Sequence, residues 1–304
     1  MVLPKVYIII LNWNGTADSI ECIRSLKDLH YDNYEILLID NNSDIESFKR
    51  IISVFPKIKY VRNEKNLGFA EGNNVGIRLA LKNKPNYILL LNNDTIVERN
   101  FLMPLIKYME EYRDIGICGP VVCHYDIQET IWQTGGIYSR ITGRLRMKYA
   151  DMPINSIKEK TIELDYIPGA CLLIRAELIK DIGLLDKKFF NQCEDLDWGL
   201  KTKLIGKRVM CISNSVIYHK VSNSTPLSIN NYFRFRNLLV IINRYSRNLF
   251  IPYIVLFLSV FVNIFRYIMK GNYIQVKFIL RGIADYYKKN FEEGLLSNLL
   301  KAKK

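Results

Sequence analysis

Three short stretches carry side chains that could do chemistry at strand or helix ends. "YILLLNNDT" (87–95) ends a greasy run abruptly in two amides, a carboxylate and a hydroxyl, with Asp94 as the charged member. A core-filling strand could end in any turn residues. A single carboxylate at a rigid strand end suits a hard divalent cation that takes its remaining ligands from phosphate and water. The alternative is a type I turn or helix cap built from Asn, Asp and Thr. "LLIDNNS" (37–43) places Asp40 likewise at a strand end, where a carboxylate can accept hydrogen bonds from a base or ribose; Asp and Ser are also good N-caps. "CEDLDWG" (193–199) gathers Glu194, Asp195 and Asp197 beside Phe189, Phe190, Leu196 and Trp198. Apolar surroundings raise a carboxyl pKa, as a general base for a hydroxyl requires. Acids in a first helical turn also complement the helix dipole without any catalytic role. His219 ends a further strand, a position as fit for a structural imidazole as for a ligand.

These residues need a scaffold, and the pattern supplies one. "KVYIIIL", "YEILLID", "IKYVRN" and "YILLLN" read as buried strands, and "DSIECIRSLKDL", "DIESFKRIISVF" and "AEGNNVGIRLALK" as the helices between them. Such alternation predicts an α/β, Rossmann-like domain with a mostly parallel sheet and helices on both faces. Ligands bind beyond the carboxyl ends of such strands. Those ends are Asn12-Trp13-Asn14-Gly15, Asp40-Asn41-Asn42-Ser43, Asn66-Leu67-Gly68 and Asn92-Asn93-Asp94-Thr95, all polar and turn-capable. No G-x-G-x-x-G is present, since Gly68, Gly72 and Gly76 are spaced by four, which argues against a dehydrogenase. A second block follows: "YIPGACLLIRAELIKDIGLLD" reads as turn, strand and short helix, and "VMCISNSVIYHK" as a strand reaching His219. Residues 124–163 read as hairpins with a loop around "SRITGRLRMK".

In order along residues 5–220, "IIILNWNG", "LLIDNNS", "NEKNLGFAEGNNVGI", "LLLNNDT", "PGACLLIRAELIKDIGLLDKKFF", "CEDLDWGLKTKLIGKRV" and "VIYHK" resemble family 2 glycosyltransferases of the GT-A fold. The resemblance is greatest to the rhamnosyltransferase-like branch. It implies that Asp40 contacts the base or ribose of a nucleotide-sugar donor. Asn12, Trp13, Asn14, Asn42, Asn66, Gly68, Asn73, Asn92 and Asn93 would line the same donor site. "LNND" stands where the family has its metal-binding D-x-D, so Asp94 and His219 are implied to hold Mg²⁺ or Mn²⁺; Asn92 replaces the first acid, which weakens that hold. "EDLD" stands for the catalytic base, Asp195 first and Glu194 as competitor. The implied reaction is inverting transfer to a hydroxyl of a glycan or lipid-linked glycan in cell-surface polysaccharide or glycoprotein glycan synthesis. Other hexosyl or N-acetylhexosaminyl transfer, or sugar binding without turnover, are the alternatives.

Charge and hydropathy divide the chain. The 304 residues carry a net charge of +13, of which 220–304 holds +11, with fourteen Lys/Arg against three acids. The expected boundaries are therefore a catalytic domain at 1–220 and a basic helical region at 221–304. "LFIPYIVLFLSVFVNIF" (249–265) is flanked on both sides by Arg and Lys, which fits a helix lying in an anionic membrane surface, on the cytoplasmic face. The alternatives are a packed core helix or a homo-oligomer interface. A nucleic-acid role has no motif behind it. The N-terminal "VYIIIL" is shorter than an export signal's apolar core, so export is not expected, and the six scattered cysteines read as reduced, mostly buried thiols.

Overall fold

Alternate residues of each central strand enter opposite apolar layers, and this two-sidedness builds the sheet. The computed structural model describes residues 3–221 and 226–291. The first part runs β1 (Val6–Asn12), α1 (Thr16–Lys27), β2 (Tyr34–Asp40), α2 (Ile45–Val54), β3 (Lys59–Arg62), α3 (Gly68–Leu81), β4 (Tyr87–Asn92), β5 (Thr95–Val97) and α4 (Leu102–Glu111). It continues through β6 (Ile115–His124), β7 (Ile131–Gln133), β8 (Gly136–Tyr138), β9 (Leu145–Met147), β10 (Thr161–Leu164), β11 (Cys171–Arg175), α5 (Ile179–Ile182), α6 (Glu194–Leu204) and β12 (Arg208–His219). Ile8 and Ile10 of β1 pack with Ile23 and Leu26 of α1, whereas Tyr7 and Ile9 pack with Ile77 and Ala80 of α3. Each fully buried Ile or Leu contributes roughly 1.5–3 kcal/mol, which a strand covered on both faces collects at every position.

The sheet order is β10-β12-β6-β11-β4-β1-β2-β3, with β5 on β12 and β7 on β6; β8 and β9 form a separate two-stranded sheet. The expected parallel block is β3-β2-β1-β4. Beyond it the sheet turns mixed, because β11 runs antiparallel to both β4 and β6. A strand buried on both faces reads as the same apolar run in either direction, so the sequence pattern does not separate the two cases. The glycines spaced by four on α3 set a close approach: a Cβ at Gly72 would stand 2.7 Å from Leu11 Cδ1, and one at Gly76 2.7 Å from Ile9 Cγ2.

The chain divides into two compact units, Met1–Ile137 with Met147–Leu185 and Asp195–Ser222, and Tyr138–Arg146 with Asp186–Glu194 and Asn223–Lys304. The second unit thus recruits two short segments from within the first two thirds of the chain. Its helices are α7 (Leu227–Tyr245), α8 (Phe250–Met269) and α9 (Tyr273–Tyr287). Phe235, Leu239, Ile242, Leu256, Val260 and Ile279 form its core. The buried Arg236 donates to the carbonyls of Lys188 and Phe189, and Asn237 to those of Phe189, Asn191 and Gln192. The segment so held carries positive φ at Phe190, Gln192 and Cys193. Among the described residues, α8 alone is long and apolar enough to cross a membrane, and Phe250, Phe257, Phe261 and Phe265 stand exposed along it. By sequence this unit holds 18 Lys/Arg against five acids, the whole net charge of the protein. None of the six cysteines is in a disulfide, and only Cys193 is not fully buried.

In the first unit, α6 reaches its place because Gly199 has no side chain: a Cβ there would lie 2.0 Å from the Asp165 carbonyl oxygen and 2.8 Å from Tyr166 Cα. Gly199→Ala in a helix interior would otherwise gain about 1 kcal/mol. Against immovable backbone we expect a net loss of about 2 kcal/mol, read as a lower urea midpoint at unchanged m-value.

Candidate functional site

The carboxyl ends of β1, β2 and β4 converge on one amide. Asn12, at the end of β1, has no exposed surface. Its Nδ2 donates to Asp40 Oδ1 at 2.9 Å and to Ser43 Oγ at 3.0 Å. Its Oδ1 accepts from Gly15 N at 3.1 Å, Ser19 Oγ at 2.9 Å and Asn93 Nδ2 at 3.3 Å. The register Asn12↔Asp40 in the β1–β2 ladder sets this meeting, and a buried carboxylate requires such donors. Asp40 is also fully buried; Ser43 N donates to its Oδ2, and Arg62 Nε lies 3.6 Å away.

A second amide hub stands beside it. Asn41 Nδ2 donates to Asn66 Oδ1 and to the Gly68 carbonyl, while its Oδ1 accepts from Asn63 Nδ2 and Leu67 N. This joins the end of β2 to the loop that opens α3. Asn66 Oδ1 accepts from Gly68 N, whose residue has φ +75. Asn14 is exposed with φ 56, and its Oδ1 accepts from Asp44 N at 2.7 Å; Trp13 is half-buried and Asn42 exposed with φ 64. Asn73 lies buried in α3 with its amide donating to Phe69 O within the helix. Asn93 Nδ2 also reaches Ser19 Oγ at 2.9 Å, and the Asn92 carbonyl accepts from Thr95 Oγ1 at 2.7 Å.

Strand pairing brings Asp94 to His219 across 125 residues. The β5–β12 ladder sets His219 opposite Thr95, and Asp94 Oδ1 and His219 Nε2 then stand 3.0 Å apart, both buried. Trp132 of β7 packs edge-on against the His219 ring at 4.3 Å between centroids. His219 Nδ1 is buried with no hydrogen-bond partner. Lys220 N donates to the Asp94 carbonyl, and its Nζ pairs with Asp18 and Glu21 of α1. One hard oxygen and one imidazole nitrogen are a donor pair for a divalent cation. Among the described residues no group of three or more His, Cys, Asp or Glu is placed to hold a metal ion, so further ligands would come from a bound diphosphate or water.

The acidic helix meets this edge through the turn before β11. Asp195 Oδ2 accepts from Gly169 N at 3.1 Å, and the Ala170 carbonyl accepts from Asn92 N at 2.9 Å. Burial pushes the Asp195 carboxyl above the ordinary carboxylate range, against the opposing pull of the Gly169 and Leu196 N–H groups. Glu194, first residue of α6, is buried, and Asp197 is fully buried with Lys201 at 2.8 Å. Asp195 is thereby hydrogen-bonded to the turn at the strand ends. Sequence reading missed Ser19, Asn41, Ser43, Arg62, Trp132, Gly169 and Lys220. Asn41, Ser43, Gly169 and Lys220 stand within the stretches that carry the resemblance, whereas Trp132 lies in 124–163, which reads only as hairpins and a loop.

Residues 7–183 match the model for "Glycosyl transferase family 2". The chain is 27% identical to the rhamnosyltransferase WbbL of Escherichia coli K12, over 67% of this chain and 79% of that one. It is 19% identical to the dTDP-rhamnosyl transferase RfbF of Shigella flexneri, over 79% and 80%. Its fold is like that of the mannosyltransferase PcManGT from Pyrobaculum calidifontis, solved with GDP-Man and Mn²⁺: TM-score 0.57 at 14% identity, over 100% of this chain and 81% of the other. Asn12→Ala strips partners from Asp40, Ser43, Ser19 and the Gly15 N–H at once. We expect a loss of about 3 kcal/mol in chemical unfolding, since buried polar groups left unpaired each cost about 1–3 kcal/mol.

Proposed function

Because this chain belongs to glycosyl transferase family 2 and is a glycosyltransferase, we propose that it moves a hexosyl unit from a nucleoside diphosphate sugar to a hydroxyl of a lipid-linked glycan. Transfer inverts the anomeric centre and takes place at the cytoplasmic face of a membrane. The observation that carries the reading is the Asp94–His219 pair, buried at the strand edge where such folds bind ligands. The relatives named as rhamnosyltransferases favour a 6-deoxyhexose as the transferred sugar.

Asp94 and His219 would hold Mg²⁺ or Mn²⁺ against the donor diphosphate, and the carboxylate carries more of that hold. When Nε2 becomes a ligand the ring proton must sit on Nδ1, which is buried without an acceptor. The imidazole leans the choice toward Mn²⁺. The bound cation would neutralise charge developing on the leaving diphosphate. Asp40, fixed by Asn12 and Ser43, would orient the ribose or base, with Asn14, Trp13, Asn42, Asn66 and Gly68 shaping the same wall. Asp195 would take the proton of the acceptor hydroxyl as it attacks C1; its carboxyl, raised by burial, is a stronger base than a solvated aspartate. Its tie to Gly169 N fixes the direction of that carboxylate. The exposed apolar residues of α8 and the cations around it support a helix lying in the membrane interface.

Thermal-shift measurements with UDP, GDP, CDP and dTDP, each with and without Mn²⁺, test the donor site. One nucleotide should stabilise strongly only with metal, by about 2.7 kcal/mol at a hundredfold excess over Kd. Asp94→Ala should abolish the metal-dependent part, and His219→Ala should reduce it. No shift with any nucleotide would refute the reading.

Asp195 gives a pH test. Its folded pKa lies above its unfolded value, so its contribution to stability is present at low pH and lost as pH rises through the folded pKa. Asp195→Asn should therefore raise Tm at neutral pH while lowering turnover about 10²-fold or more. In the wild type, kcat/KM should fall on the acid side with a limb above the ordinary aspartate value of about 3.9.

A further inference from the structure

A cavity of about 590 Å³ opens within the second unit among α7, α8, α9 and the 186–194 segment. Three cations, Lys188, Arg244 and Lys289, share its wall with three phenols, Tyr253, Tyr286 and Tyr287. Asp186 pairs with Arg244 at 2.5 Å and offsets part of that charge. Asp186 also interacts electrostatically with Lys188, but no carboxylate is among the described residues lining the cavity. The aromatic rings give the wall an apolar body with hydroxyl tips, and Tyr253 already accepts a hydrogen bond from Asn243 Nδ2. Ammonium and guanidinium groups set among hydroxyl donors match the oxygens of a phosphate or diphosphate.

The source of that phosphate follows from α8. Tyr253 stands one helical turn from Phe250 and Phe257, which are 76% and 68% exposed, and the stripe continues through Phe261 and Phe265 at 61% and 60%. So large an exposed apolar face marks an interaction surface, and the unit's excess of 18 Lys/Arg over five acids suits an anionic lipid layer. A free phosphate would have no use for the stripe, whereas an amphiphile uses both.

We propose that this cavity binds the phosphate- or diphosphate-bearing headgroup of a membrane amphiphile whose hydrocarbon chain lies along α8. Resting on the transferase reading above, the amphiphile is the carrier of the acceptor glycan, and the cavity fixes its headgroup. The cavity itself does not depend on the donor site.

The test uses the full chain in EDTA, so that the Asp94–His219 site holds no metal. Binding is measured by flotation with phosphatidylcholine vesicles doped with geranylgeranyl diphosphate, or with phosphatidylglycerol to equal charge. Inorganic pyrophosphate serves as a soluble competitor. The wild type should prefer the diphosphate vesicles by about tenfold or more, with little displacement by pyrophosphate. Lys188→Gln with Lys289→Gln should lose that preference. Lys187→Gln with Lys288→Gln removes the same charge from neighbours that do not line the cavity, and should keep it. Equal binding to both vesicle types, loss in both double variants, or full displacement by pyrophosphate would each overturn the proposal. The nucleotide and Mn²⁺ thermal shift, run on the same proteins, separates the two readings. An intact shift with no vesicle preference leaves the transferase standing and removes the cavity, and the reverse result does the opposite.

Discussion

The candidate site rests on one buried side-chain amide. Asn12 lies where three parallel strands stop, and it hydrogen-bonds with Asp40, Ser43, Ser19 and Asn93. A carboxylate with no exposed surface is tolerable only when its lone pairs are met, and Asp40 depends on this arrangement. The same amide joins α1, through Ser19, to the loop that carries Asp94. The placement of Asp40 at the end of β2 and of the loop carrying Asp94 after β4 is therefore set by one residue.

Much of this was legible in the sequence, and what was not has physical reasons. The strand ends read as polar because strands that finish at a ligand edge must switch from core to solvent chemistry within one residue. Asp40 and Asp94 stood out for that reason. The meeting of Asp94 with His219 is implied by the family resemblance alone, because residue pattern does not show the register of β5 on β12, a pairing across 125 residues. The antiparallel entry of β11 escaped for a different reason: direction leaves no mark on a uniformly apolar strand. Gly169 acts through its backbone N–H, which residue identity does not advertise. The segments 138–146 and 186–194 belong to the second unit through packing that no local composition announces.

The acidic motif shows two constraints acting on adjacent residues. Asp195 is held in an environment that disfavours its charge, a cost to folding that suits a base. Just ahead of it, Phe190, Gln192 and Cys193 occupy a backbone region that L residues rarely adopt. Arg236 and Asn237 hold that stretch by its carbonyls, so strain is met by buried hydrogen bonds instead of by glycine. The only partly accessible cysteine sits in this stretch.

The distribution of charge has a colloidal consequence. With the entire net charge of +13 on the second unit, the sheet-bearing unit is formally neutral at pH 7. Neutral surfaces lack the mutual repulsion that keeps molecules apart in solution. Separated from its basic companion, the first unit would approach its isoelectric point near neutrality and self-associate. The second unit alone would repel its own copies through charge while attracting them through the bare phenylalanines of α8. Neither half makes a well-behaved solute, so the two sets of surface properties are balanced only in the uncut chain.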